Sequence, residues 1–497
     1  DSGPITRAVL PGDLDGDGVQ EVVFTEASTD TAHTVRWRTV GADADLFSAD
    51  DLHPEADLAL LDVDADGDLE VVHFRPDGTL VMRQGDGSIV TGTPLDLGLG
   101  PDAGWISGAR VVGASEEDVV VAGANTVTVL GPGGVPRAGF PFVAPGAAGQ
   151  ANGRVALGDV DGNGTVELVA PFTGGLVVLD RDGQVVTIIG QGEASPGSPS
   201  LADLDGDGDL EIAIPRADGT VALVRFDGTS IGAAWPYDTG AAGMPGQVAL
   251  ADFAGDERRD LVFLAADRSV HVVTVTGFVP PGWPEGINPL SSMIDPIVGW
   301  LGPLAPAVAV GDVTGGVGVR AVDGMQEGWP RDMASPIAAP VTAADVDDDG
   351  RVELIVPTAD WLWTLDMGVG LPVDARVWSV SGADVGRTGN VEAIPVATSA
   401  DVAPAARTRL DVAPNPFNPR TVMRFCLEVD ATDVALRVFD AKGRLVRTLH
   451  DGALGAGEHA FPWRGRDDEG REVASGVYFG RLVAGGGVDV RSMVLVR

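Results

Sequence analysis

Cysteine is nearly absent from this chain. Cys426 stands alone among 497 residues, so no disulfide can form within it. If the protein works outside the cell, another restraint must replace that staple. Lysine is equally scarce, with Lys442 the single copy; the remaining basic residues are arginines, a bias of genome composition. Aromatics make up only 5% of the chain, which weakens the case for an open sugar-binding cleft. No run approaches the ~20 apolar residues a membrane helix needs. The six histidines (33, 53, 73, 271, 450 and 459) show no paired metal-ligand spacing. His73 and His271 lie inside apolar runs and are expected to be packed. Cys426, within 422–427, reads as a small buried residue. None of this supplies a nucleophile or an acid/base pair, and the chain is expected not to be an enzyme.

Basic charge is also short, and unevenly so. Of 33 basic and 73 acidic residues, 13 and 12 fall from residue 408 onward, leaving 20 and 61 before it. Such a body repels nucleic acid and anionic lipid and attracts cations. The chain begins at Asp1 rather than Met, the expectation for a mature or trimmed form whose export signal lies outside it.

What is abundant is periodic. Gly 69 and Pro 34 recur at intervals that suggest many turns between short strands. One acidic phrase returns five times, with its odd positions as follows. The first copy has Asp13, Asp15, Asp17, Val19 and Glu21; the second has Asp62, Asp64, Asp66, Asp68 and Glu70. The third has Asp159, Asp161, Asn163, Thr165 and Glu167; the fourth has Asp203, Asp205, Asp207, Asp209 and Glu211. The fifth has Asp345, Asp347, Asp349, Arg351 and Glu353. A decayed copy runs through Asp252, Asp256 and Asp260, with Ala254 at its second ligand position. Two worn units, near 109–130 and 297–322, fill the long gaps. A second marker keeps the same register: Phe140-Pro141, Trp235-Pro236, Trp283-Pro284 and Trp329-Pro330. Eight units result.

Each unit reads as β. In the one at 154, strands are expected at 154–157, 166–170, 176–179 and 184–189, rich in β-branched residues and bounded by Gly and Asp. Four strands on a period of ~40–50 residues are the pattern of a propeller blade. The aromatic-Pro pairs are expected to wedge between blades rather than stack on sugars.

The acidic loop has its own chemistry. Acids at positions 1, 3 and 5 surround one point when the chain curls, and Gly at position 6 permits the curl. A carbonyl at position 7 (Val19, Asp68, Thr165, Asp209 or Arg351) and the acid at position 9 complete an oxygen shell suited to Ca²⁺. An EF-hand would need an acid at position 12, where this chain has Phe24, His73, Ala170, Ile214 and Val356. Its flanking helices are missing as well.

The repeat unit resembles the FG-GAP or VCBS family, found in integrin α-subunit heads and many bacterial surface proteins. The resemblance covers residues 1–395 and implies a calcium-binding propeller with five good sites and one doubtful site at 252. In that family the ions brace the loops, which would replace the missing disulfides. Integrin-type propellers have seven blades, so seven or eight is expected, with 377–390 closing or crossing the ring.

Residues 396–407 read as a linker. From 408 to 497 about seven alternating strands suggest an Ig-like sandwich. Asn415-Pro416-Phe417-Asn418-Pro419, Val438-Phe439-Asp440, Trp463 through Asp467 to Gly470, and Gly476-Val477-Tyr478-Phe479 carry a second resemblance. It is to the Ig-like domain related to the flagellar hook-capping protein, also used as the C-terminal sorting domain of type IX secretion. Gly480 stands where that family has a bulkier residue. This resemblance implies passage to the outer surface of a bacterium through secretion machinery.

The expectation is an all-β, extracellular or surface-located binding module, with a protein or polysaccharide ligand, and with no nucleic-acid partner or membrane-spanning segment. The alternatives are a propeller enzyme (a polysaccharide lyase or quinone-dependent dehydrogenase) and a purely structural spacer.

Overall fold

The computed structural model describes residues 5–368 and 411–496. It omits 17–18, 28–32, 40–46, 54–56, 100–103, 113–115, 147, 194, 208, 254–257, 287–295, 300, 302–306, 313, 322–323, 326–328, 338, 348–350, 414–416, 418, 428–430, 441–443, 469 and 485–486. Among the described residues are ten small sheets, eight before residue 368 and two after 411.

The eight first strands are Ile5–Gly12, Leu58–Leu61, Trp105–Ala109, Ala156–Gly158, Ser200–Ala202, Ala249–Ala251, Ile297–Gly299 and Thr342–Ala344. Each packs on the next, and the eighth returns to the first. At that closure Thr342 Oγ1 donates to the Val9 carbonyl at 2.9 Å. Val9, Val22 and Phe24 share a core there with Ala344, Val346 and Ile355. The chain is an eight-bladed propeller, which resolves the choice between seven and eight.

Second strands are buried from end to end, as in Glu70–Phe74, Glu211–Pro215 and Glu353–Pro357. Both faces of each blade lie against neighbouring blades, so these strands read as continuous apolar runs. Each fully buried Val or Leu contributes ~1.5–3 kcal/mol.

Aromatic wedges join the blades. Trp235 of blade five donates from Nε1 to the Val275 carbonyl of blade six at 2.7 Å. Trp283 of blade six lies under the Arg320 guanidinium of blade seven, 5.2 Å from the ring centroid. Both indoles are buried, as expected of wedges. Trp37 plays the same part without a following proline, donating to the Gly85 carbonyl at 2.8 Å.

One local expectation shifts. The first strand of blade three is Trp105–Ala109, so this unit begins before the 109–130 expected for it. Its pairing with Asp118–Gly123 ends at Asp118↔Ala109, so Arg110, Val111 and Val112 lie beyond the strand. Among the described residues blade eight shows three strands, the last of them Leu362–Asp366. The segments 377–390 and 396–407 lie outside the described residues.

The C-terminal part is a sandwich of seven strands. Asp411–Ala413, Thr421–Leu427 and Gly457–Trp463 form one sheet. Leu445–Leu454, Ala431–Asp440, Gly476–Ala484 and Gly487–Leu495 form the other, in that order. Phe417, Met423, Phe425, Trp463, Tyr478 and Met493 fill the space between. Gly480 now has a reason: a Cβ there would sit 2.9 Å from Met423 Sδ, so the methionine takes the room of a larger side chain.

Candidate metal centres

Each acidic phrase joins the first strand of a blade to the second, so the five loops recur at equivalent places around the ring. The ninth-position acid opens the second strand and is buried in every copy: Glu21, Glu70, Glu167, Glu211 and Glu353. Its Oε2 accepts the position-two amide in all five. Leu14, Val63, Val160, Leu204 and Val346 donate at 3.0, 2.9, 3.0, 2.8 and 3.0 Å. The glutamate thus ties the loop closed before any ion is considered.

The loops gather carboxylates. Oxygens of Asp13, Asp15 and Glu21 lie within 4.8 Å of one another, as do those of Asp62, Asp64 and Asp66. Asp159, Asp161 and Glu167, then Asp203, Asp205 and Glu211, then Asp345, Asp347 and Glu353 do the same. These clusters can hold metal ions.

Two buried atoms test the fit. Glu211 Oε1 and Asp62 Oδ1 are out of solvent and have no hydrogen-bond partner among the described residues. Leaving such an oxygen unmet is costly, and a hard cation would satisfy it. The donor sets are entirely oxygen, in keeping with Ca²⁺. Burial, reinforced by the loop aspartates, pushes the Glu70 carboxyl up to about 8 and that of Glu211 up to about 7. The same causes raise Glu167, Asp62 and Asp64.

Other expected ligands fall elsewhere. Asn163 Oδ1 accepts from the Thr165 amide at 2.8 Å, and Asp207 Oδ1 from the Asp209 amide at 3.0 Å, so both brace the turn. Asp205, while a member of the fourth cluster, also carries an ion pair with Arg225. Asp17, Asp349, Ala254 and Asp256 lie outside the described residues. In the decayed loop Asp260 keeps the tie, accepting from the Phe253 amide at 3.0 Å.

Blade three holds what sequence reading missed. Asp118, fully buried, accepts from the Val112 amide at 2.8 Å, as the ninth-position glutamates do. Its other oxygen accepts from Arg137 Nε at 2.6 Å, and Arg137 Nη2 reaches Glu116 at 3.0 Å. A guanidinium supplies the positive charge in that blade. The signal was one arginine 19 residues downstream, which no local spacing rule singles out.

Two of the histidines, His73 and His271, are core residues. His73 is fully buried, and desolvation lowers it to about 4. His271 is held between Tyr237 Oη at 3.0 Å and Ser269 Oγ at 2.9 Å, stacked on Phe263. Ser269 donates to Asp267, so it accepts from Nε2–H, and Nδ1 accepts from the tyrosine. Among the described residues no helix is long and apolar enough to cross a membrane.

Comparison with known proteins supports both parts. Residues 203–263, which span the fourth loop and the decayed one, match the FG-GAP-like repeat. Residues 418–486 match the FlgD Ig-like domain. Over 61 residues the chain is 39% identical to the basal-body rod modification protein FlgD of Salmonella typhimurium, and equally to that of Salmonella typhi. The match covers 12% of this chain and 26% of those relatives, about a quarter of their length. Among solved structures, BamB from Moraxella catarrhalis is similar at 15% identity and a TM-score of 0.45, covering 72% of this chain and 95% of BamB. The V. cholerae biofilm matrix protein Bap1 gives 12% identity and a TM-score of 0.38, covering 95% and 90%. Similarities this distant carry no functional argument.

Proposed function

We propose that this chain is a secreted or cell-surface propeller that binds calcium at five loops and acts as a non-catalytic binding module. The observation that carries the reading is the repeated loop, in which a buried glutamate ties the backbone while neighbouring carboxylates face one point. Asp13, Asp15 and Glu21 would hold one ion, Asp62, Asp64 and Asp66 another, and the three remaining clusters one each. When bound, Ca²⁺ neutralises those carboxylates; the chain's own residues already hold the loop in shape. Millimolar extracellular calcium would fill even weak sites of this kind. The ions then brace a chain that has no disulfide.

The FG-GAP-like match supports a surface setting, and the FlgD-like match supports an exported tail. Export through a type IX sorting role of residues 408–497 is part of the proposal. So is recognition of a protein or polysaccharide ligand by the propeller.

The test is bound calcium per chain, with melting temperature in calcium and in chelator. About five ions and a fall of roughly ten degrees or more on chelation are expected. No bound calcium and an unchanged melt would end the calcium reading. On glycan and protein arrays, a spacer would bind nothing specifically.

A further inference from the structure

The loops of adjacent blades touch. Asp68, at position seven of the second loop, leans onto Gly16 of the first: a Cβ on Gly16 would lie 2.3 Å from Asp68 Oδ1. Asp209, at position seven of the fourth loop, leans onto Gly162 of the third with the same 2.3 Å approach. Both glycines have φ of +70°, so each opens a notch that a side chain would fill. The backbone follows, with the Leu69 amide donating to the Asp13 carbonyl at 3.2 Å. Asp68 therefore lies in the field of acids from two loops, Asp66 and Asp62 of its own and Asp13 and Asp15 of its neighbour. Beside it, in the second loop's own cluster, Asp62 Oδ1 is buried and has no hydrogen-bond partner among the described residues.

Position seven was expected to offer only its backbone carbonyl. We propose instead that the Asp68 and Asp209 carboxylates are ligands of the ion in the preceding blade, so that calcium clasps blade one to blade two and blade four to blade five. The inference rests on the calcium reading above. Sequence placement agrees with it. Loops 159–167 and 345–353 follow blades without an acidic loop, and they carry Thr165 and Arg351 at that position. Asp stands there only where the preceding blade in the chain has a full loop. Val19 follows blade eight across the closure and makes no clasp.

The experiment measures bound calcium by equilibrium dialysis of the full chain at limiting free calcium. Asp64→Asn with Asp66→Asn removes the second loop's own set, and Asp68→Asn is then added. A clasp predicts a further loss of about one ion, corresponding to roughly tenfold weaker binding at the first loop. Asp77→Asn, an exposed turn acid of the same blade, is the control and should change nothing. In a chain carrying Asp13→Asn and Asp15→Asn the effect of Asp68→Asn should vanish. An Asp68→Asn change no larger than the control, or one that persists without the first loop, overturns the clasp while leaving five-site binding intact. Failure of the parent chain to bind calcium overturns both readings. If the triple variant does not fold, the same series at Asp205, Asp207 and Asp209 answers the question.

Discussion

Blades three and four solve one problem in two ways. Both must turn the chain from the first strand to the second and cover the position-two amide, and both use a buried carboxylate to do so. Asp118 accepts from Val112 in blade three, and Glu167 from Val160 in blade four. The difference is the source of compensating charge. Blade three brings its own cation, Arg137, within 2.6 Å of Asp118. Blade four surrounds Glu167 with Asp159 and Asp161 and leaves the balance to something from outside. One blade is complete as translated, and the other depends on its surroundings.

That contrast can be broken first at Arg137. Replacing it with Met keeps the stem but strands Asp118 and Glu116 at a largely buried position. The expected cost is about 3 kcal/mol in urea unfolding, equal in calcium and in chelator. A cost that depends on calcium would mean blade three also holds an ion. The second step is Glu211→Gln, which keeps shape and removes one charge. It should lower bound calcium by about one ion per chain. In chelator above pH 7 the variant should be more stable than the parent, because it removes the carboxyl whose ionisation burial opposes. In saturating calcium the order should reverse. Equal stability in both conditions would assign Glu211 a tie and nothing more.

The contrast also explains what could be read from residues alone. The eight repeats, the four-strand unit and the five loops were legible because each rests on a local pattern, whereas the choice between seven and eight blades stayed open until the closure of the ring was seen. Aspartates at alternate positions and a glycine after them need no partner from afar. The ninth-position glutamate was legible as a possible ligand but not as a tie, because that role requires knowing that Glu211 is buried beneath Leu204. Arg137 was invisible because its partners lie across the blade. The same holds for Arg154, which pairs with Asp57 at 2.7 Å between blades two and four, 97 residues apart. The first strand of blade three was misplaced for a related reason. Residues 110–112 have β character, but the ladder ends where Asp118 pairs with Ala109, and they follow the strand rather than form it. Gly480 looked like a departure until Met423 was seen to fill the space.

The smallest effect is a pH dependence that arises in the loop-bearing blades. Glu70 and Glu211 are raised from 4.5 to about 8 and about 7 in the folded chain, first by burial and then by neighbouring aspartates. Between the unfolded value and those folded values, the native state binds more protons than the unfolded state. Stability in chelator must therefore fall as pH rises from about 5 to about 8, and be fully present below that window. Calcium replaces the protons, so in saturating calcium the slope should flatten or change sign. Urea midpoints at pH 5, 6.5 and 8, with and without calcium, measure the slope. A chelated protein that grows more stable toward pH 8 would mean that the buried glutamates are ionised without penalty, and that blade four, like blade three, already has the charge it needs.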